Sequence, residues 1–371
     1  MTIIAIPKEI KDNESRVGGT TATVSELVKC GHTVYIQKNA GAGIGISDAD
    51  YSKVGAKVVD TAEEIYAKGN IILKVKEPQA SEIKMLKEGQ AIFSYLHLAP
   101  DAEQTKGLVN SGCHAIAFET VTASNGSLPL LAPMSEVAGR IATQKIAQYL
   151  EKVNGGRGIL LGGVPGTAKA KIAIIGGGFS GYNAAIMAVG MGADVTILDK
   201  SINKIRELDT IFGGKAKILY ASSENVENAI KGADGLVGAV LIPGATAPRV
   251  ATRAMIASMN KGGVAVDIAI DQGGCFETSR PTSHSNPVYV EEGVTHYCVT
   301  NMPGNLARTS SFALENATLP FTLELANKGF VKALKENPHL LMGLNVAKGK
   351  VTYKAVAENL GYTFTNPLEV L

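Results

Sequence analysis

The sequence predicts an α/β protein of two Rossmann-like domains with parallel sheets, the first discontinuous and completed by C-terminal helices. Three observations carry that expectation. Short β-branched runs alternate with helical patterns from the start of the chain; a second, sharper series of the same kind begins near Lys171; and after Pro303 the pattern turns helical with no further strand series. A chain of 371 residues exceeds what one hydrophobic core usually organises, so two domains are expected.

In the first series, residues 2–6, 33–36, 71–75, 91–96 and 114–117 read as strands and 22–30 as a helix. A long helix is expected over 135–153, and the Gly-rich stretch 154–166 reads as a domain connection. In the second series, strands are expected at 171–175, 194–198, 216–219, 235–240 and 263–269, with helices running to about 191 and starting near 202. These strands are mostly unbroken apolar runs, which implies a sheet covered on both faces. The helical tail, 311–328 and onward, is expected to pack back on the first domain.

Bulk properties narrow the function. The formal charge is only +2, with Lys and Arg dispersed among Asp and Glu, so there is no electrostatic footprint for nucleic acid or an anionic membrane. Cys30, Cys113, Cys275 and Cys298 lack metal-ligand or CxxC spacing and are expected as reduced thiols in a cytoplasmic compartment. The beginning of the chain lacks the basic and apolar regions of a leader, and no apolar run is long enough to span a bilayer. A small-molecule partner is expected.

Gly176, Gly178 and Gly181 form a GxGxxG pattern that directly follows the strand ending at Ile175 and opens a helix of small residues. The first glycine permits the tight turn, the second lets the backbone approach a pyrophosphate, and the third allows close packing of helix on strand, while amides at the helix N-terminus bind the anion. Asp199 ends the next strand about twenty residues on, where a carboxylate accepts hydrogen bonds from an adenosine ribose and repels a 2′-phosphate. NAD is therefore expected over NADP, although Lys200 and Lys204 lie nearby. The competing readings are a plain glycine turn, and Asp199 as a helix N-cap.

Charged residues after parallel strands face the crevice where open α/β sheets bind ligands. Arg16, Lys76, His97 and Asp271 all occupy such positions. A guanidinium clamps a carboxylate, an ammonium polarises a carbonyl, an imidazole transfers protons near neutral pH, and a carboxylate orients a reactive water. The bland alternatives are surface charges for Arg16 and Lys76, a hydrogen-bonded core residue for His97 and a turn former for Asp271.

These residues sit in segments that resemble the alanine dehydrogenase family: Pro7-Lys8-Glu9, Glu14-Ser15-Arg16-Val17, Lys74-Val75-Lys76-Glu77-Pro78, Tyr95-Leu96-His97-Leu98-Ala99 and Leu131 through Arg140. Similar segments follow at 155–166, 238–244, 267–277 and 301–304, so the resemblance covers nearly the whole chain. It implies NAD-dependent interconversion of L-alanine with pyruvate and ammonium, with Arg16 on the substrate carboxylate, Lys76 on the carbonyl, His97 in acid–base work and Asp271 in a second catalytic role. It also implies NAD contacts from Ser135, Gly176, Gly178, Phe179, Ser180, Gly181, Asp199, Lys204, Ala221, Val240, Leu241, Ile268, Ala269, Ile270, Asp271, Arg280, Val299, Thr300, Asn301 and Met302. By the same resemblance, a substrate domain comprises 1–130 with 308–371, a nucleotide domain comprises 131–307, and the assembly is a homohexamer.

Departures from the family pattern carry their own expectations. Gly18-Gly19-Thr20-Thr21 replaces a more apolar stretch, which predicts a looser hold on Arg16. Asn305-Leu306-Ala307 alters the loop after Asn301, and Ala221 stands where some relatives place a serine. Asn327-Lys328 occupies a region where one relative pattern has a metal-binding histidine, so no functional metal is expected and Glu324 reads as a solvated helix charge. The rival readings are a saccharopine-type dehydrogenase, a detached transhydrogenase nucleotide-binding subunit, or a catalytically silent NAD-binding protein.

Overall fold

Fifteen strands, numbered in chain order, form among the described residues wherever short apolar runs are bounded by turns. They are β1 (Ile3–Ile6), β2 (Thr33–Gln37), β3 (Lys57–Val59), β4 (Ile71–Leu73), β5 (Ala91–Ser94), β6 (His114–Ala117), β7 (Lys171–Ile175), β8 (Asp194–Asp199), β9 (Lys217–Tyr220), β10 (Gly235–Gly238), β11 (Val264–Asp267), β12 (Val288–Glu291), β13 (Val294–Tyr297), β14 (Leu344–Ala347) and β15 (Lys350–Val351). The computed structural model describes residues 1–240 and 246–371. Two compact units result, one of Met1–Met134 with Gly304–Leu371 and one of Ser135–Pro303.

The first unit holds an eight-stranded sheet in the order β15-β14-β6-β5-β4-β1-β2-β3. From β6 to β3 every pairing is parallel. The central strands β1, β4 and β5 bury nearly every side chain, which is what covering helices on both faces require. The chain lays β2 and β3 to one side of β1, then returns to lay β4, β5 and β6 on the other side, creating a topological switch between β1 and β4. Ligands bind outside the carboxyl ends of the strands at such a point.

The second unit repeats the plan in seven strands, β12-β13-β11-β10-β7-β8-β9, with its switch between β7 and β10. All pairings from β13 to β9 are parallel. The predicted α/β class with mostly parallel Rossmann-like sheets is thus what forms.

Four details differ from the sequence expectations. The tail is not wholly helical: β14 pairs antiparallel with β6, and β15 antiparallel with β14. Four-residue and two-residue strands leave too short a pattern to separate from the helices around them. The antiparallel hairpin β12–β13 turns on Glu292 and Gly293, both at positive φ, which is the backbone a two-residue hairpin loop requires. The edge strand β3 was also not anticipated. Finally, the Gly-rich stretch 154–166 is not a connection but lies inside the second unit, because the boundary falls within the helix Ala132–Tyr149. Gly156 makes a close turn there: a Cβ would stand 2.1 Å from the Tyr149 carbonyl oxygen.

Candidate active site

In the first unit the strand order places the segments after β6, β5, β4 and β1 side by side, so Glu119, His97, Lys76 and Arg16 follow neighbouring strands at the same edge of one sheet. Arg16 is only 2% exposed, and its Nε and Nη2 donate to the two carboxylate oxygens of Glu14 at 2.8 and 2.5 Å, a bidentate pair buried on both sides. Its Nη1 lies 3.1 Å from Met134 Sδ. Burial disfavours the charged guanidinium, but the hydrogen bond and charge of Glu14 outweigh it and hold the pKa above the ordinary arginine value. The surface-charge reading of Arg16 is therefore excluded.

The expected looseness around Arg16 does not occur either. Gly18 passes so close to β4 that a Cβ would lie 2.5 Å from the Leu73 carbonyl oxygen. Thr20 and Thr23 are buried and donate their hydroxyls and amides to Glu315, a carboxylate from the long helix Ala307–Lys328. Polar residues in this stretch tighten it because their partner arrives from the far end of the chain.

Lys76 is half-buried, its Nζ 3.8 Å from Glu77, which also pairs with Lys11. Just before it, the fully buried Lys74 holds Glu9 at 2.9 Å and Glu82 at 2.8 Å, while Glu9 accepts the Val75 amide at 2.7 Å. Burial raises the Glu9 pKa despite the Lys74 charge. This cluster fixes the backbone from which Lys76 projects.

His97 has a positive φ of 50°, a conformation uncommon outside glycine, and its side chain is 46% exposed, which excludes the core-residue reading. Its ring stacks parallel on Tyr95 with centroids 5.9 Å apart, and Tyr95 is anchored through its hydroxyl to the Leu130 carbonyl at 2.5 Å.

In the second unit, the predicted nucleotide-contacting residues cluster at the carboxyl ends of the six parallel strands. The Gly176–Gly181 loop follows β7, Asp199 ends β8, Ala221 follows β9, Val240 follows β10, Ile268 through Asp271 follow β11, and Val299 through Met302 follow β13. Leu241 lies outside the described residues. Gly176, at φ 97°, sits where a Cβ would be 2.5 Å from the Ala239 carbonyl oxygen; at Gly181 a Cβ would be 1.7 Å from the Gly176 oxygen; at Gly178 it would meet nothing within 4 Å. Gly176 thus packs the loop against the segment after β10, Gly181 closes the helix onto the loop, and the middle glycine leaves an open cradle beside exposed Phe179 and half-buried Ser180, as a pyrophosphate requires.

Asp199 accepts the Gly177 amide and the Ser201 amide, each at 2.7 Å, and so ties the end of β8 to the glycine loop. It is not the helix N-cap, a role taken by Ser201 for Ile202–Phe212. Lys204, on that helix, is paired with Glu207 at 2.5 Å. Asp271, exposed, accepts the Asn301 amide at 3.2 Å and so joins the loops after β11 and β13. Arg280 stacks on the Tyr289 ring at 3.9 Å, and Ser135 lies one turn into the long helix.

Two further carboxylates beside the predicted site residues have roles that the sequence reading did not single out. Asp267 is fully buried and accepts the amides of Ala269, Cys275 and Phe276 and the Ser279 hydroxyl, building the loop that carries Asp271. Glu119 accepts the amides of Leu96 and His97. Glu324 bonds Lys328 and Asn337, and among the described residues no cluster of three or more His, Cys, Asp or Glu is placed to hold a metal ion.

Two switch-point sheets, one bearing a glycine cradle, define a two-domain α/β protein with a dinucleotide-binding domain. The N-terminal domain model described as alanine dehydrogenase/PNT matches residues 5–138, and the corresponding C-terminal domain model matches 142–354. The chain belongs to the alanine dehydrogenase/PNT family. It is 53% identical to an alanine dehydrogenase of Halomonas elongata over 99% of both chains. A solved L-alanine dehydrogenase superposes with a TM-score of 0.94 at 46% identity, covering 97% of this chain and 99% of the other. A transhydrogenase from Sinorhizobium meliloti superposes with a TM-score of 0.81 at 27% identity, covering 95% and 99%.

Proposed function

We propose that this chain is an L-alanine dehydrogenase that reversibly converts L-alanine to pyruvate and ammonium with NAD as hydride acceptor. The observation that carries the proposal is the alignment of a guanidinium, an ammonium and an imidazole after three neighbouring parallel strands, β1, β4 and β5, in a chain that matches alanine dehydrogenases along its length. On this reading the first unit supplies the substrate contacts and the second holds the dinucleotide.

The residues of the second unit fit NAD. Gly178 leaves room for the pyrophosphate, the amides opening Phe179–Gly190 face that room, and the Asp199 carboxylate disfavours a 2′-phosphate. The pairing of Lys204 with Glu207 offsets the cation that would attract such a phosphate. When bound, the nicotinamide would accept hydride from the alanine Cα once the ammonium has given one proton to solvent, which leaves an iminium.

The chain's own groups do the rest. Arg16 binds the substrate carboxylate and Lys76 the oxygen that becomes the carbonyl. As water bonds to the iminium carbon, His97 takes the proton that water loses, and a carbinolamine forms. His97 then returns that proton to nitrogen; as the C–N bond breaks the hydroxyl gives its own proton to His97, which passes it to the departing ammonia, and pyruvate and ammonium leave. Asp271 takes the second catalytic role, orienting the water or the carbinolamine. We further propose that the enzyme works in the cytoplasm as a homohexamer, supported by the family resemblance and by four cysteines without disulfide partners. Among the described residues no helix is long and apolar enough to cross a membrane.

The test is NADH oxidation by purified protein with pyruvate and ammonium, each omitted in turn, across a panel of oxo and amino acids. Turnover requiring both substrates is expected. NADH binding without turnover on any oxo or amino acid overturns the proposal in favour of a silent or transhydrogenase-type protein. Sedimentation at six times the 38.7 kDa chain mass is expected, and any smaller species at working concentration sinks the hexamer.

A further inference from the structure

Glu119 lies in the turn Phe118–Thr120 directly after β6, beside the segment that carries His97 after β5. Its Oε1 accepts the His97 amide at 2.6 Å, and its two oxygens lie 3.2–3.3 Å from the Leu96 amide. Two successive amides, those of Leu96 and His97, converge on this one carboxylate, and immediately after them the chain enters a left-handed conformation at His97, with φ 50°. A β-carbon in the left-handed region carries strain that its surroundings must offset. The surroundings here are the Glu119 carboxylate on the backbone and the Tyr95 ring stacked on the imidazole.

The same oxygen also lies near one edge of the ring. Oε1 stands 3.9 Å from His97 Nδ1, too far for a hydrogen bond, but on the Nδ1 side of the imidazole. We propose that Glu119 is a positioning residue, holding His97 in its left-handed turn with Nδ1 toward the carboxylate and Nε2 as the edge that exchanges the proton with substrate. The proposal rests on the reading of His97 as the acid–base group.

The experiment is a double-mutant cycle on the intact enzyme, measuring kcat and KM for pyruvate amination and the dissociation constant of NADH. Glu119→Ala is expected to lower kcat by about 10- to 100-fold, the scale of a misplacement near 1 Å, with NADH binding within about twofold. Glu119→Gln, which keeps an acceptor oxygen for the amides, should restore most of that loss. In a His97→Ala background, where the residual rate is read at high enzyme concentration, Glu119→Ala should change kcat less than about twofold, because there is no imidazole left to position. The same fractional loss in both backgrounds, or no loss in the first, overturns the positioning role. Unchanged turnover in His97→Ala alone instead overturns the underlying acid–base assignment, so the two failures are distinct. Should Glu119→Ala not fold, Glu119→Asp, one methylene too short to reach both amides, completes the same cycle.

Discussion

Replacing Gly178 and Gly181 separately divides the glycine loop into a part that serves the fold and a part that serves the ligand. At Gly181 an added methyl would stand 1.7 Å from the Gly176 carbonyl oxygen, and an ordinary contact near 3.4 Å demands that the helix Phe179–Gly190 and the loop move apart by about 1.7 Å. Overpacking on that scale costs about 1–3 kcal/mol. The displacement moves the amides that hold the pyrophosphate, so Gly181→Ala should lose both thermal stability and NADH affinity, the latter by about 10- to 100-fold. At Gly178 the methyl would enter open space, and the backbone φ of −66° suits any residue. Gly178→Ala should therefore keep its Tm within about 1 °C while NADH binding weakens about tenfold, since the methyl occupies only the place of the ligand. NADH fluorescence, excited at wavelengths where no side chain absorbs, reads affinity on titration, and calorimetry reads Tm. If Gly181→Ala kept both properties, or Gly178→Ala bound NADH as tightly as the parent, the assignment of the loop to pyrophosphate would be refuted.

Two further predictions concern the first unit. Glu14→Ala leaves the Arg16 guanidinium buried without its bidentate partner and should cost about 3–5 kcal/mol in urea unfolding; a loss below about 1 kcal/mol would show that the pair does not hold the site. Glu77 gives a pH signature: burial opposes its ionisation, but the charges of Lys76 and Lys11 outweigh burial and place its pKa below the ordinary 4.5. Its ionised form therefore adds stability that is complete above pH 4.5 and is lost as pH falls through the lower folded-state value. Glu77→Gln should flatten the acid limb of Tm against pH below that point, and superimposable limbs would contradict it.

What could be read from the sequence was what chemistry confines to a short stretch. The glycine loop, its strand and Asp199 are legible because a pyrophosphate needs three glycines at fixed spacing and a ribose needs a carboxylate one strand away. Arg16, Lys76 and His97 are legible as strand-end charges, but not their anchors. Glu14 is two residues from Arg16 and still reads only as part of a motif, because nothing local says that its carboxylate folds back on the guanidinium. Glu315 lies 292–295 residues from the threonines it binds, and for that reason the polar stretch after Gly18 suggested looseness where the structure is tight. Strands β14 and β15 escaped because their burial is decided by β6, more than two hundred residues earlier, rather than by their own periodicity.

The order of the sheet bears directly on which substrates the proposed site accepts. Along the chain the three groups come as Arg16, Lys76, His97, and the crossovers place their strands in that same sequence in space, β1, β4, β5, with neighbours about 4.8 Å apart. On the proposed roles, carboxylate binding, carbonyl binding and proton transfer follow one another in strand order, matching a carboxylate joined directly to the carbonyl whose oxygen Lys76 holds and His97 protonates. A 3-oxo acid bound through the same carboxylate puts one more carbon before its carbonyl, shifting the reacting carbon by about 1–1.5 Å from where Lys76 and His97 meet it, and a shift of that size costs roughly a hundredfold. Amination of a short 3-oxo acid should therefore run at no more than about one hundredth of the kcat/KM of the 2-oxo acid of equal length, which itself loses about 10- to 200-fold against pyruvate through the space around its extra methylene. Equal rates for 2-oxo and 3-oxo acids would mean that the carboxylate is not held at Arg16, and the linear arrangement would then have no part in selecting the substrate.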